Sequence, residues 1–347
     1  ARHPSSRRHR GGRPSRRAGR RQAGVNGAAL RLLALGSLGY ASSLAKNVVK
    51  GTLGRPSHFT ADDILFRQYV RQLSGRGRID RITCIASTHE GAGSQSLMTM
   101  RAIEFARAQG LTYVHTPFTE IHHADRPMHE WAAAWESHFN LGAGEATVSD
   151  RGTHDAVNFA FTFPMLRALF GVEDEDLPFD ESLVRDFRRK YHLNKAPRSK
   201  ASPSVCIHVR RRNRHDFHSG DATDMVCLTR VVAQVRAILR ELRPEHTLRV
   251  FSQGVPSDFS TLDIPESQLS LDADPLWSMR EMIEADLLVT TRGTFGHVTG
   301  LFCDGIVLAD GLFPSQRGWL TYDAGGGFDT AALASEVSSK MRSASGR

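Results

Sequence analysis

The chain has 347 residues, of which 40% are hydrophobic and 24% are charged, and its formal net charge is +8. This composition is typical of a globular protein that is long enough for two domains, and it argues against a wholly disordered chain. Residues 1–60 contain thirteen Lys and Arg and no Asp or Glu, whereas the remainder has 32 basic and 37 acidic residues. The basic charge therefore belongs to the first segment and not to the predicted fold.

Residues 1–55 are predicted to be a basic leader outside the fold. Its first part is rich in Arg, Gly and Ser and lacks the apolar residues that a core requires, which predicts disorder. The weakly apolar run 32–45 is too short and too rich in Gly and Ser for a clear membrane span. A transit peptide, a signal region and an amphipathic helix all stay open, and membrane association through residues 28–45 is one expectation. Location is equally open: the Golgi or secretory pathway in a eukaryote, or else the cytoplasm or an organelle. Without aromatic or base-reading partners, the Arg residues do not predict nucleic-acid binding.

From residue 60 the sequence alternates between helical and extended patterns. Thr60 and Asp63 form a capping box that opens the first predicted helix. The next elements make a β-loop-α-β unit. In chain order, the predicted elements of this part are a helix over 60–73, a strand over 82–87, a glycine loop over 91–95, a helix over 96–110, a strand over 111–116, and helices over 127–140, 153–171 and 181–195.

Residues 196–204, "APRSKASPS", are the best candidate linker because they combine Pro, Ser and Lys. Beyond them the alternation begins again. The predicted elements are strands over 204–209, 247–252, 288–291 and 305–310 and helices over 225–242, 274–288 and 293–302. The predicted divisions are the leader 1–55, an N-terminal α/β domain 60–200, a C-terminal α/β domain 201–330 and a tail 331–347.

Strands that alternate with helices predict an α/β fold with mostly parallel sheets covered on both faces. Two such sheets joined by a linker leave a cleft between them. In open α/β sheets, ligands bind beyond the carboxyl ends of the strands. Three polar motifs of this chain follow predicted strands, and they are therefore the candidates for a binding site.

Metal and disulfide chemistry is not predicted. The four cysteines, Cys84, Cys206, Cys227 and Cys303, are far apart and lie mostly in apolar patterns, as buried thiols do. The histidines of the segment 115–129 lack the H-E-x-x-H spacing of a zinc site, so they are expected at the surface or in an acceptor cleft.

The first motif is "HEGAGSQS", residues 89–96, between a predicted strand and a predicted helix. Gly91 and Gly93 would let the backbone approach a ligand closely, and the start of the helix would offer free N–H groups to an anion. A plain tight turn is the alternative interpretation. Since Leu97 and Met98 follow, the third glycine of the dinucleotide fingerprint is missing, and NAD binding is not predicted.

The second motif is "HVRRRN", at the end of the strand that follows the linker. Arg210 and Arg211 could present forked N–H donors to a diphosphate, a geometry that Arg supplies and Lys does not. For the run of arginines alone, a solvated strand end is about as good an interpretation. The context of the third motif favours the diphosphate.

The third motif is "ADLLVTTRGTFGHVTGLF", residues 285–302, which reads as a strand, a turn and a helix. Thr290, Thr291 and Thr294 provide hydroxyl groups at the turn. Gly293 and Gly296 would relieve steric strain in the backbone there. The start of the helix would point toward a phosphate. The alternative is an ordinary helix after a strand, as in every α/β protein.

In this order, the three motifs resemble the superfamily of α1,2-, α1,6- and protein O-fucosyltransferases, over about residues 82–310. Those enzymes carry G-x-G-x-Q or G-x-G-x-R, then H-x-R-R-x-D, then a Ser-Ser-Phe-Ser-type segment. The resemblance implies a GT-B-like fold of two Rossmann-like domains with a cleft between them. It also implies that GDP-fucose binds to the second domain as the donor substrate and that a glycan or glycoprotein acceptor binds to the first.

By the same resemblance, Arg210 holds the β-phosphate, and His208 and Arg211 support it. The other positions that it places at the nucleotide sugar are Gly91, Gly93, Gln95, Ser252, Gln253, Thr291, Thr294 and Phe295.

Two positions depart from the pattern. Asn213 stands where the family has Asp, which leaves the support of the two arginines uncertain, and Asp216 is a candidate to replace it. His297 stands where the α1,2 enzymes often have Trp, which disfavours an α1,2 linkage.

The reaction implied is a metal-independent, inverting transfer that needs charge neutralised on the leaving diphosphate and a base for the incoming hydroxyl group. Glu90 is the leading candidate base, with His89 and Asp216 as alternatives, and a solvated loop carboxylate is an equal interpretation of Glu90. Two other functions stay open. One is a GT-B transferase for another nucleotide sugar, and the other is a degenerate member that binds a glycan without transferring it.

Overall fold

A computed structural model describes most of the chain beyond residue 78. The described residues are 79–86, 90–147, 156–160, 163, 166, 177–196, 200–211 and 222–340. The elements below all lie in one compact unit, residues 79–160 and 175–347. The predicted leader 1–55, including the segment 28–45 with its possible membrane association, and the predicted helix 60–73 lie outside the described residues.

The described elements alternate in the α/β manner. The helices are α1 (Ala92–Gln109), α2 (Met128–Phe139), α3 (Glu181–His192), α4 (Met225–Leu242), α5 (Pro275–Ile283), α6 (Thr294–Phe302) and α7 (Thr330–Lys340). The strands are β1 (Arg81–Thr83), β2 (Thr112–His115), β3 (Ala146–Thr147), β4 (Val157–Asn158), β5 (Ser204–His208), β6 (Thr247–Ser252), β7 (Leu269–Leu271), β8 (Leu287–Thr290), β9 (Ile306–Ala309) and β10 (Leu320–Thr321). Two 3₁₀ helices, Pro256–Leu262 and Glu266–Gln268, lie between β6 and β7.

The first sheet contains four parallel strands in the order β3-β2-β1-β4. The side chain of Asn158 closes the junction of β4 with β1: its Oδ1 accepts from the N–H of Ile85 at 2.9 Å, and its Nδ2 donates to the carbonyl of Ile85 at 2.9 Å. An amide side chain thus continues the pairing where the two short strands end.

The second sheet contains six parallel strands in the order β10-β9-β8-β5-β6-β7. If the six strands β5 to β10 are numbered 1 to 6 in chain order and the sheet is read from the β7 edge, the order is 3-2-1-4-5-6, as in the Rossmann fold. Its direction of winding reverses between β5 and β8, and such switch points are where ligands bind in open α/β sheets, beyond the carboxyl ends of the strands. In this sheet the switch point lies between Val209 and Thr291.

Helices cover both faces of the second sheet. One core cluster joins β5, β6, β8 and β9 to α4 and α7, with Val231 and Val235 of α4 among its fully buried members. A second cluster on the opposite face joins the sheet to α5 and to the end of α6 through Met282 and Cys303. The predicted α/β fold class, with two Rossmann-like parallel sheets, is confirmed. The division into domains near residue 200 stays a prediction.

Two predicted element assignments are wrong. The residues predicted as a glycine loop, 91–95, mostly belong to α1, which begins at Ala92 and forms its first backbone bond from Gln95 N to Gly91 O at 3.1 Å. Small residues at this helix start lack the apolar spacing that indicates a helix. Val157–Asn158, within the predicted helix 153–171, is a strand, and two residues are too few for a period of two to be recognised.

Most of the predicted C-terminal tail is also a packed element, because α7 extends to Lys340. Asp329 caps its start by accepting from the N–H of Ala332 at 2.8 Å. Leu333 and Val337, one turn apart, are fully buried in the core cluster of the second sheet. The sequence does not indicate this helix clearly, because α7 has 11 residues and buries only one stripe of apolar side chains.

Leu333→Ala should lower the free energy of unfolding by about 2–5 kcal/mol, because it removes a fully buried side chain and leaves a cavity. Ser335→Ala, on the exposed face of the same helix, is the control and should stay within about 0.5 kcal/mol of wild type. Denaturant unfolding measures both. Equal, small effects would mean that α7 does not belong to the core.

Candidate functional site

The arginine motif lies where its position in the sequence predicts, at the carboxyl end of β5. The backbone bond from Val209 N to Phe251 O, 3.0 Å, continues the pairing with β6 past the end of the strand. On the other side, Arg210 N donates to Oγ1 of Thr291 at 2.8 Å, which ties the end of β5 to the end of β8. Arg210 therefore begins beside the switch point of the sheet.

The side chain of Arg210 runs along the start of α6. Gly293, the N-cap residue of that helix, has a φ of +103°, a conformation that L side chains rarely adopt. A Cβ at this glycine would lie 3.4 Å from Cδ of Arg210, and Nε of Arg210 is buried. The guanidinium group is thus carried beside the N-terminus of a helix, where free backbone N–H groups also favour an anion.

The N-terminus of α1 meets the N-terminus of α6 at the same place. A Cβ at Gly93 would lie 2.8 Å from Phe295 N, so only glycine allows this approach. The hydroxyl groups of Ser94 and Thr294 share a hydrogen bond of 3.0 Å. Two positive helix ends at such close approach are unfavourable unless a negative charge lies near them. The arrangement is suited to an anion.

The starts of these two helices differ from those of three other helices. The N-cap residues of α3, α4 and α5 are Asp180, Asp224 and Asp274, and their carboxylates accept from N–H groups of the first turn. In contrast, the N-cap residues of α1 and α6 are Gly91 and Gly293, which have no side chain that could cap the helix. The helix ends that converge at the strand ends therefore lack a carboxylate of their own, which leaves their N–H groups to a ligand or to water.

His208 adds an independent feature under the start of α6. The imidazole is only 7% exposed, and its Nδ1 has no hydrogen-bond partner among the described residues. A Cβ at Gly296, in the first turn of α6, would lie 2.7 Å from this nitrogen. Burial, aided by the positive charge of Arg210, lowers the pKa of His208 to about 4. A buried ring nitrogen without a hydrogen-bond partner is costly, and this one is covered by the first turn of α6.

The buried histidines predict a loss of stability in acid. Burial also lowers the pKa of His297 to about 4, with a smaller effect of Arg101. In the unfolded chain both groups titrate near 6.5. As the pH falls from about 6.5 to about 4, the unfolded chain takes up protons that the folded chain does not, so the free energy of unfolding should fall.

His297→Phe is the variant that tests this dependence. It should reduce the slope of unfolding free energy against pH in that window by up to about 1.4 kcal/mol per pH unit. Denaturant unfolding at several pH values measures the slope. An unchanged slope in the variant would contradict the buried, neutral state of His297.

Three of the residues predicted at the nucleotide sugar hold the protein's own structure together. Gln95 donates from Nε2 to the carbonyls of Glu90 and Glu120, at 2.9 and 2.8 Å. Ser252 Oγ lies 2.8 Å from the carbonyl of Val209 and donates to it. Thr291 Oγ1 accepts both from Arg210 N and from the hydroxyl of Thr223, at 2.8 Å each. These contacts shape the edge of the site, and any direct contact with a ligand stays a prediction.

Phe295 lies at the centre of the contacts between the two helix starts. Its ring is 5.5 Å from that of His208 and 6.4 Å from that of Trp135 in α2, and its backbone packs on Gly93. Thr294 and Phe295 are therefore brought together with Gly93, His208 and Arg210. Glu90 and Gly91 directly precede α1, and Gln253 directly follows β6; Gln253 and Glu90 are exposed.

The role of Glu90 as a base stays a prediction, since its carboxylate is on the surface of the turn before α1. The alternatives His89 and Asp216, as well as Asn213, lie outside the described residues. Ser94, Thr223 and Asp258 also contribute contacts here and were not predicted from the sequence. Ser94 lies within the quoted glycine motif, but no spacing connects Thr223 or Asp258 with the arginines.

Arg211, the second arginine of the motif, pairs with Asp258 of the first 3₁₀ helix at 3.1 Å, Nη2 to Oδ1. Its guanidinium carbon lies 5.8 Å from the centre of the Phe259 ring. Arg211 thus points to the β6 side of the strand end, whereas Arg210 lies on the β8 side, at Gly293. The two arginines therefore lie on opposite sides of the end of β5, Arg210 beside the switch point and Arg211 beside the 3₁₀ helix.

Among the described residues, no group of three or more His, Cys, Asp and Glu side chains is placed to hold a metal ion. In the same part of the chain, no helix is long and apolar enough to cross a membrane.

The amino-acid sequence matches no model of a known protein family and no curated protein. Among solved structures, a glycosyl transferase of family 9 from Veillonella parvula is 12% identical with a TM-score of 0.34, over 76% of this chain and 90% of the other. E. coli heptosyltransferase WaaC, with ADP-2-deoxy-2-fluoro heptose, is 11% identical with a TM-score of 0.30, over 80% and 77%. UDP-GlcNAc 2-epimerase from Methanocaldococcus jannaschii is 10% identical with a TM-score of 0.34, over 86% and 82%.

None of these three proteins is named as a fucosyltransferase. Two are named as glycosyltransferases, and the third as an epimerase of a nucleotide sugar. At such identities and TM-scores, the likeness decides nothing about the chemistry of this chain, which has to be inferred from the site itself.

Proposed function

We propose that the protein is a glycosyltransferase that binds the diphosphate of a nucleotide sugar at the carboxyl edge of the second sheet. The observation that carries the proposal is the position of Arg210, whose side chain lies against Gly293 at the N-cap of α6 and beside the switch point. A guanidinium fork and a helix N-terminus are two anion-binding devices, and here they share one place.

In the proposed reaction, a hydroxyl oxygen of the acceptor bonds to the anomeric carbon of the donor sugar. The bond between that carbon and the diphosphate oxygen breaks, and the nucleoside diphosphate leaves with the electron pair. Arg210 and the N–H groups at the start of α6 stabilise the charge that develops on the leaving oxygen. The hydroxyl proton goes to a general base, for which Glu90 is our candidate. A single displacement of this kind inverts the anomeric configuration.

GDP-fucose is the donor that we propose first, because the order of the three motifs resembles the fucosyltransferase superfamily. The acceptor would be a glycan or a glycoprotein bound on the side of the first sheet. A transferase for another nucleotide sugar, with the same diphosphate site, is the alternative. A protein that binds glycans without transferring sugar is the second alternative.

Incubating the purified protein with GDP-fucose, GDP-mannose and a set of UDP- and ADP-sugars distinguishes these cases. The expected result is slow hydrolysis of GDP-fucose, which is measured as the release of GDP. Hydrolysis of a different nucleotide sugar would keep the transferase and replace its donor. If no nucleotide sugar is either bound or hydrolysed, the proposed function is wrong.

A further inference from the structure

The pair of Arg211 and Asp258 is built into the strand end more firmly than a surface ion pair. Asp258 uses both carboxylate oxygens: Oδ1 contacts Nη2 of Arg211 at 3.1 Å, and Oδ2 accepts from the N–H of Val255 at 3.0 Å. The side chains of Arg211 and Asp258 are 33% and 29% exposed. Both partners are therefore shielded for most of their surface.

The preceding turn makes room for this carboxylate. Gly254 has a φ of +118°, and a Cβ on it would lie 2.5 Å from Oδ2 of Asp258. Any other residue at position 254 would be strained and would also displace the carboxylate. The end of β6, the turn at Gly254 and the 3₁₀ helix thus hold Asp258 in one position beside the end of β5.

We infer that Asp258 is a positioning residue, which fixes Arg211 as the second arginine of the donor site, and the inference rests on the proposed function. Arg211 follows Arg210 directly in the chain, and its side chain lies on the β6 side of the end of β5. A long side chain loses many rotamers when it binds an anion, and a carboxylate that already holds it reduces this loss. A guanidinium has five N–H donors, so pairing with one carboxylate oxygen is compatible with a contact to the ligand.

The inference also gives a role to a carboxylate that the sequence leaves unassigned. Position 213, where the fucosyltransferase pattern has Asp, is Asn in this chain, and Asp216 is one candidate replacement in the sequence. The structure pairs Arg211 with Asp258, which lies beyond the end of β6. The support of the motif then comes from the β6 side of the sheet.

Another pair on the same 3₁₀ segment provides a matched control. Asp263 contacts Nη1 of Arg236 at 3.2 Å, but its side chain is 95% exposed. It lies at the C-cap of the helix Pro256–Leu262, on which Asp258 also lies. Asp263→Asn removes a carboxylate from the same element without touching the proposed site.

The test measures the binding of GDP, UDP and ADP by calorimetry to wild type, Asp258→Asn, Asp258→Glu, Arg211→Ala, the double variant Asp258→Asn/Arg211→Ala and Asp263→Asn. For the nucleotide that wild type binds best, we expect Asp258→Asn and Arg211→Ala to weaken binding about tenfold each, because they act through one contact. The double variant should then also be about tenfold weaker, not a hundredfold. Asp258→Glu should recover part of the affinity, and Asp263→Asn should bind as wild type does.

The outcomes separate the inference from the proposed function. If wild type binds a nucleotide and Arg211→Ala binds it equally well, or if the two single effects multiply in the double variant, the positioning role is wrong and the donor site stands. If wild type binds none of the three nucleotides, the proposed function itself fails. Denaturant unfolding of each variant shows whether lost binding is only lost folding, and an affinity that follows the folded fraction would also overturn the inference.

Discussion

Arg210→Lys is expected to lower kcat/KM for the donor by on the order of 10²-fold or more. Lysine keeps the positive charge but loses the planar fork that can bind two oxygens of a diphosphate at once. The loss should appear mainly in kcat, because charge on the leaving oxygen is largest in the transition state. Initial rates of donor hydrolysis or transfer, at varied donor concentration, measure it.

Stability should change little in this variant, since the backbone N–H of residue 210 still donates to Thr291. Arg240→Lys is the control, because Arg240 is exposed on α4 in the same half of the molecule. It should keep full activity. Equal, mild effects at positions 210 and 240 would mean that Arg210 is a solvated strand end and not a diphosphate ligand.

The second large effect is expected at Gly93. A Cβ there would lie 2.8 Å from Phe295 N and 2.9 Å from Thr294 C, and backbone atoms cannot rotate aside as a side chain can. Gly93→Ser should therefore lower the free energy of unfolding by about 1–3 kcal/mol, the usual cost of forcing atoms into a packed region. Donor turnover should fall as well, because the start of α6 must move away from α1 and from Arg210. Denaturant unfolding and kcat/KM measure the two effects.

Gly91→Ser, two residues earlier, is the matched control for stability. Gly91 has a φ of −76° at the N-cap of α1, and its Cβ would approach only His123, at 3.9 Å. Serine is a favoured N-cap residue, so the free energy of unfolding should stay the same or rise slightly. Equal free energies of unfolding for Gly93→Ser and Gly91→Ser would contradict the close approach of α1 and α6.

Long elements with regular apolar spacing were predicted from the sequence almost to the residue. The helix Met225–Leu242 and the strand Thr247–Ser252 have the predicted bounds. Their buried positions repeat with a clear period, and Asp224 at the helix start is a favoured N-cap. The same reasoning explains the parallel sheets, which follow from strands that alternate with helices.

Short or atypical elements were not predicted, for identifiable reasons. The strands Ala146–Thr147 and Leu320–Thr321 contain two residues each, and no period can be recognised in so few. α1 begins on Ala92 and Gly93, which carry little helical signal, because close packing on Phe295 selects small residues there. Tertiary contact, and not local preference, determines where this helix begins.

The candidate site shows the same division between local and distant information. Arg210, Thr291 and Gly293 were identified because each lies at or just beyond the end of a predicted strand, and strand ends of a parallel sheet share one edge. Asp258 was not, since only the pairing of β5 with β6 brings its 3₁₀ helix beside Arg211. Nor does the sequence show that Gln95 and Ser252 donate to backbone carbonyls, because that depends on which strand ends lie next to each other.

Calorimetric titration tests most directly whether the end of β5 and the start of α6 bind a diphosphate. GDP, UDP and ADP are compared with GMP, UMP and AMP, on wild type and on Arg210→Lys. We predict that at least one diphosphate binds wild type about tenfold or more tightly than its monophosphate, and that Arg210→Lys loses most of this preference, because the fork contacts the second phosphate. Equal affinity for diphosphates and monophosphates, or a preference that survives Arg210→Lys, would contradict diphosphate binding at this place.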